Sequence, residues 1–293
     1  MATATVYEIV TEKVLNAMAS GSVPWRKPWD SSTIRPCNAE TGRRYSGGNM
    51  FLLSMLPYAV PAFLTMNQIK KAGARIKEGQ NKAHFPVFYW NWVEKVDDKG
   101  EKTRFPLLRY FLVWNVEQIE GYTLPDHLAK PAAREHTPIE AAERIVAGFA
   151  DAPEIVITET DRAYYVPALD KVNVPKLSQY AKPESYYSVL FHELAHSTGH
   201  ASRLNRKGVT DPIAFGSHDY SLAEMVAELT AAFLCAEAGI DNTVENSAAY
   251  IAAWHKVLSA DPKLFWIAAG RAQKAADYIL GRGKDENQDT HND

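Results

Sequence analysis

Residues 192–196 read His192-Glu193-Leu194-Ala195-His196, and this stretch decides how the second half of the chain is understood. Two histidines four apart share one face of a helix, so both imidazoles can reach a single ion. The glutamate after the first histidine is placed to act as general base toward a water on that ion. The run Ser185–Phe191 leads in with helical pattern, and Tyr187, Leu190, Phe191, Leu194 and Ala195 make a buried stripe at i, i+3, i+4, i+7 and i+8. The histidines lie away from the centre of that stripe, as ligands beside a cleft should. The spacing predicts a helix over 184–198 that carries a hydrolytic metal site.

A catalytic zinc ion needs a third protein ligand and one open position. Three residues compete for that role. His200 follows closely, with Gly199 able to end the helix before it. If the helix continued, His200 would stand about 12 Å along the axis from His192, too far to share an ion. Glu224 and Glu228 lie on a helix expected over 221–238, whose apolar face is Leu222, Val226, Leu229 and Phe233. They project from the other side among Ala227, Ala231 and Cys235, an acidic pair set in small residues that invite another element close. Glu224 as ligand and Glu228 orienting a ligating histidine fit the gluzincin-like order. Ser221 and Glu224 also have capping-box spacing, which would make Glu224 a helix-start residue instead. His218, Tyr220 and His255 are further candidates for donors to a transition state.

The chain has 293 residues, 46% hydrophobic and 23% charged, which suits two domains each with its own core. No apolar run is long enough to span a bilayer, so no membrane partner is expected. Nothing at the N-terminus reads as a signal peptide. Cys37 and Cys235 are far apart and in no metal-binding spacing, which excludes a disulfide framework and points to a reducing cytoplasm. Residues 1–130 carry 17 Lys+Arg against 12 Asp+Glu, a net +5, while the remainder carries 15 against 23, a net −8. Opposite signs point to different partners for the two parts.

Prolines 125 and 131 interrupt the pattern and place a boundary between about 125 and 140. The expected division is a domain over 1–130, a second over 131–281, and a polar tail over 282–293 that reads as disordered. In the second domain Thr137 caps a helix that begins at Pro138. Strands follow at 155–159, 163–166 and 171–174, then helices at 184–198, 221–238, about 245–258 and 263–280. The strand around Val172 is expected beside the cleft, holding an extended peptide by backbone pairing.

The first domain interleaves cations with aromatics. A helix over about 3–20 precedes Trp25-Arg26-Lys27 and Trp29. Arg43, Arg44, Tyr45 and Asn49 come next, then Lys70 and Lys71. A hairpin is expected between strands near 87–96 and 104–114, closed by an Asp97–Gly100 turn. Cations meeting phosphates while rings stack on bases is the chemistry of single-stranded nucleic acid. No recognition helix or zinc module for duplex DNA is evident. About half of the strand aromatics must face the core. Trp25, Arg26, Lys27, Trp29, Arg43, Arg44, Tyr45, Asn49, Lys70 and Lys71 are therefore the candidate contacts.

The two halves together resemble the ArdC antirestriction proteins of conjugative plasmids and their relatives in plasmid primases. The resemblance rests on Thr41–Asn49 and Thr65–Gln68 in the first half. In the second it rests on His192–His200, Arg203–Arg206 and Glu224–Leu229. It implies an α+β chain of two domains, an N-terminal single-stranded-DNA-binding domain and a C-terminal zincin-like metallopeptidase domain. It further implies His192, His196 and Glu224 as ligands to one Zn²⁺ per chain, with Glu193 as catalytic base. Single-stranded DNA and a host protein substrate would be the partners, in shielding incoming plasmid DNA from restriction during conjugation. Two rival readings stand beside this one. The first is a non-enzymatic single-strand-coating protein with a structural metal, against which Glu193 argues, since a structural metal needs no base. The second is a metal-dependent nuclease, whose sites usually gather oxygen ligands around Mg²⁺.

Overall fold

The computed structural model describes residues 6–19, 35–54, 56, 58–96, 102–129, 137–206, 209, 217–240 and 248–282. The chain forms two compact units, and its first helix, α1 (Val6–Ala19), belongs with the second of them from Tyr7 onward. The threonine in its middle explains part of this: the Thr11 hydroxyl donates to the carbonyl of Pro262 at 2.7 Å. By its contacts this helix groups with the second unit, whereas the sequence reading took 1–130 as one domain.

The first unit is built on a sheet of β1 (Cys37–Asn38), β2 (Ala62–Thr65), β4 (Phe85–Val96) and β5 (Lys102–Asn115), in the order β1-β2-β5-β4. Only the β1–β2 pair is parallel. Between these strands run α2 (Gly47–Ser54), α3 (Met66–Lys71) and β3 (Arg75–Ile76), and β6 (Ile119–Glu120) and α4 (Asp126–Ala129) follow. Strand alternation sends successive residues to opposite faces. Phe63, Val87 and Val113 therefore pack with Leu53 of α2 on one side. Ala62, Leu64 and Trp114 pack with Ile69, Ile119 and Leu128 on the other. The hairpin read from the sequence is β4–β5, in register from Phe85↔Val113 to Val96↔Lys102.

After α1, the second unit continues with α5 (Pro138–Gly148), where Thr137 and Glu140 form the expected capping box. A small sheet follows: β7 (Glu154–Thr158), β8 (Tyr164–Val166) and β9 (Lys171–Pro175), in the order β7-β9-β8. Helices α6 (Pro183–Ser197), α7 (His218–Ala238), α8 (Ala248–Ala260) and α9 (Leu264–Ile279) complete the unit. Buried Leu190, Phe191 and Leu194 of α6, Met225, Leu229 and Phe233 of α7, and Phe265 of α9 supply its apolar core. Buried Ala268, Ala269, Ala272, Ala275 and Ala276 make α9 narrow enough for close helix packing. Two expectations change here. The strand around Val172 is β9, which is paired on both sides and has no free edge for a peptide; β8 is an edge strand instead. Helix α7 starts one turn before the expected residue 221, capped by Ser217, whose hydroxyl accepts from the Tyr220 N–H. Of the expected tail, all but Arg282 lies outside the described residues.

Candidate metal centre

Helix α6 opens with Pro183 at its first turn, where a missing N–H costs nothing. Its apolar stripe is buried, which leaves His192 and His196 turned to one side with their Nε2 atoms 3.1 Å apart. Because α7 is capped at Ser217, Glu224 sits in its second turn, free of the capping role that Ser221 would have imposed. Its carboxylate oxygens lie 3.5 Å from His192 Nε2 and 3.5 Å from His196 Nε2. Ligand atoms at the corners of a tetrahedron around zinc, with bonds of about 2.0–2.1 Å, would be about 3.3 Å apart. The two-nitrogen, one-oxygen donor set of His192, His196 and Glu224 thus fits a divalent ion, and all three side chains keep some access to solvent.

The groups around this triad are arranged to support it. Glu193 is 8% exposed, and burial together with the nearby Glu224 charge raises its carboxyl above the usual range. The backbone N–H of Tyr165, on edge strand β8, donates to it. Burial opposes a charge on either histidine. The Glu224 hydrogen bond and the charges of Glu228 and Glu193 nevertheless push His192 up, while burial, His192 and Arg206 push His196 down. The pair can therefore hold one proton at a time, and a metal ion would displace it. Burial opposes ionisation of Glu224 too, yet its histidine partners and a hydrogen bond from Tyr220 keep it below the ordinary value. Of the three candidate donors, Tyr220 is thus brought to the site. His218 pairs with Asp261 and Asp219 instead, and His255 is exposed beside Ser259. His200 turns to Ser202, its Nδ1 2.8 Å from the hydroxyl, and is not in the ligand cluster.

Two arginines that sequence reading did not single out as functional hold the end of the metal-site helix. Arg206 donates to the carbonyl of Ala195 at 2.8 Å and to the hydroxyl of Thr198. Burial and the Arg271 charge lower its pKa to about 10, so it stays a cation near neutrality. Arg203 donates to Ser197 O at 3.1 Å and grips both carboxylate oxygens of Asp170 at 2.8 Å. A cation satisfying last-turn carbonyls is favourable both as hydrogen bonding and against the helix dipole. Besides the family resemblance, in which Arg203–Arg206 takes part, the cue in the sequence was two arginines three apart just past a helix end, a pattern that solvent-facing residues also produce.

The candidate nucleic-acid contacts among the described residues differ in how far the fold commits them. Tyr45 packs edge-on against Phe63 with ring centroids 6.3 Å apart, and burial raises its hydroxyl pKa, so it is a packing residue rather than a free ring. Asn49 is committed to the backbone of Phe88: its carbonyl oxygen accepts from the N–H at 2.8 Å and its amide donates to the C=O. Lys71 pairs with Glu40 at 3.0 Å, and Arg43, Arg44 and Lys70 are exposed. Trp25, Arg26, Lys27 and Trp29 lie outside the described residues.

Residues 4–114 match the N-terminal domain of anti-restriction factor ArdC, and residues 140–271 match the zincin-like metallopeptidase family. A DNA primase of Escherichia coli, TraC, is 34% identical over 94% of this chain, which spans only 27% of that protein; a second TraC is 33% identical and is spanned to 20%. The uncharacterised protein y4eC of Sinorhizobium fredii is 31% identical over 96% of this chain and 93% of its own length. Crystal structures of the antirestriction ArdC protein from plasmid R388, one metal-free and one with Mn(II) bound, superpose with a TM-score of 0.75 at 29% and 28% identity. They cover 95% of this chain and 98% of theirs. The chain belongs to the ArdC antirestriction family, with an ArdC N-terminal domain followed by a zincin-like domain that carries a divalent-metal site.

Proposed function

We propose that this protein binds single-stranded DNA through its N-terminal domain and carries a zinc-dependent peptidase site, and that it protects incoming plasmid DNA from restriction during conjugation. One observation carries the peptidase reading. Buried Glu193, with its raised pKa, stands on the same helix turn as two histidines that meet Glu224 at tetrahedral spacing. A structural site has no use for such a base.

His192, His196 and Glu224 would hold the zinc, which when bound would supply Lewis acidity toward a peptide carbonyl. Glu193 takes the proton of the attacking water and returns it to the leaving amine, and the upward direction of its pKa makes it a stronger base for that exchange. The Tyr165 N–H orients the Glu193 carboxylate. Glu228, whose charge acts on His192, favours the orientation in which that ring faces the ion. Tyr220, hydrogen-bonded to Glu224, steadies the third ligand. Strand β8 offers an edge along which an extended peptide can pair. The substrate in this reading is a host protein.

The test is protection of incoming plasmid DNA by wild type and by Glu193→Ala, after checking that the variant retains metal and single-strand binding. Loss of protection supports the peptidase reading. Retained protection overturns its role in antirestriction and leaves DNA coating as the function.

A further inference from the structure

Among the described residues the N-terminal unit presents exposed rings at Tyr110 and Phe111, positions not singled out from the sequence. Strand β2 pairs with β5 only at Val113–Asn115. Beyond Leu112 and Pro86, β5 pairs with β4 alone among the described residues, so the two strands leave the sheet as a ribbon. On one face of that ribbon Val87 stands opposite Phe111 and Tyr89 opposite Arg109. The diagonal neighbours Tyr89 and Phe111 stack, with ring centroids 4.4 Å apart and planes 11° from parallel. Phe111 is 39% exposed, and Arg109 is exposed too. On the other face Tyr110 is 55% exposed and leans on Phe88. The root of the ribbon is fixed, because Asn49 clamps the Phe88 backbone from α2.

On the first face an exposed ring, Phe111, stacks on the half-buried Tyr89 beside the exposed Arg109, a grouping of apolar surface and charge that marks an interaction surface. Its chemistry selects the partner. A pair of rings already parallel offers a π-face on which an unpaired base can continue the stack, and Arg109, across from Tyr89, stands where a phosphate follows that base. In a duplex the base faces are covered by their neighbours, so such a platform favours single strands. The net +5 of residues 1–130 agrees with a polyanion. We infer that the ribbon face carrying Tyr89, Arg109 and Phe111 is the base-stacking platform for single-stranded DNA. The inference rests on the single-strand-binding reading above and locates it on residues to which no role had been given.

The test is fluorescence anisotropy of a labelled oligothymidylate with the full chain and two variants. Phe111→Leu keeps an apolar side chain and removes the π-face; affinity should fall about tenfold. Arg109→Gln changes an exposed residue and leaves the fold alone; it should lower the salt slope of binding by about 0.7. Wild-type binding that neither variant alters overturns the platform while the single-strand reading stands. If Phe111→Leu misfolds, an unchanged salt slope in Arg109→Gln overturns it alone. A wild type that binds no oligothymidylate overturns the single-strand reading itself, and equal affinity for duplex overturns the stacking mode.

Discussion

The backbone N–H of Tyr165 donates to the carboxylate of Glu193, and the hydroxyl of the same tyrosine donates to Asp170 at 2.8 Å. Asp170 is in turn gripped by Arg203, which reaches the carbonyl of Ser197 at the end of the metal-site helix. A closed circuit of hydrogen bonds thus sets edge strand β8 against α6. Asp170 occupies the left-handed region at φ 48°, a conformation Asp and Asn tolerate better than other side chains. The Arg203 side chain is 3% exposed, so its charge depends on this one carboxylate.

Asp170→Asn keeps that backbone conformation and removes the charge. Arg203 first, then the Tyr165 hydrogen bond, hold the Asp170 carboxyl below its ordinary value of 3.8 against the opposing effect of burial. Its stabilising contribution is therefore present above the unfolded value and fades as pH falls through the lower folded one. Urea unfolding at neutral pH should show a loss of about 2–3 kcal/mol, toward the lower end for a broken buried pair because Asp170 is partly exposed. The gap between variant and wild type should close at acid pH.

Arg206→Lys tests the helix-end clasp. A lysine retains the charge but has no planar fork to reach both Ala195 O and the Thr198 hydroxyl. Zinc affinity, read by competition with a chromogenic chelator, should weaken about tenfold, as for other groups that orient metal ligands indirectly.

Gly199 follows the same helix, and the reason for glycine is space rather than backbone angle. A Cβ there would lie 2.4 Å from Val209 Cγ2 and 2.9 Å from its Cβ. Gly199→Ala should cost about 1–3 kcal/mol in chemical denaturation. Adding Val209→Ala removes the worst contact and should recover part of that loss.

Tyr45 separates packing from recognition. Tyr45→Ala should lower stability by about 3 kcal/mol, because its ring packs on Phe63, Leu53 and Val113. Tyr45→Leu, which keeps an apolar side chain and removes the π-face, should leave oligothymidylate affinity at the wild-type level; in a stacking residue the same change would weaken binding about tenfold.

The histidines of the candidate metal cluster could be brought together from the sequence because a helix repeats every 3.6 residues, so His192, His196 and the buried stripe behind them share their faces by spacing alone. Glu224 was harder. Ser217 and Ser221 are both good caps, and only the packed structure, with α7 capped at Ser217, frees Glu224 for the site. Strands β7, β8 and β9 could be read from β-branched and aromatic runs, but their order could not. The parallel β7–β9 pairing puts β9 in the middle and β8 at an edge, reversing which strand can take a peptide. Tyr45 sits among arginines in sequence, yet its ring meets Phe63 eighteen residues on. Arg203 and Asp170 are 33 residues apart, and no local pattern links them.

The most direct test of the central claim is zinc titration by calorimetry of wild type, Glu224→Ala and Glu193→Gln. One ion per chain is expected for wild type, with near-wild-type affinity for Glu193→Gln and a loss of at least about a hundredfold for Glu224→Ala, which removes one of the three proposed ligands. Wild-type affinity in Glu224→Ala, with the loss appearing instead in Glu228→Ala or His200→Ala, would contradict the claim.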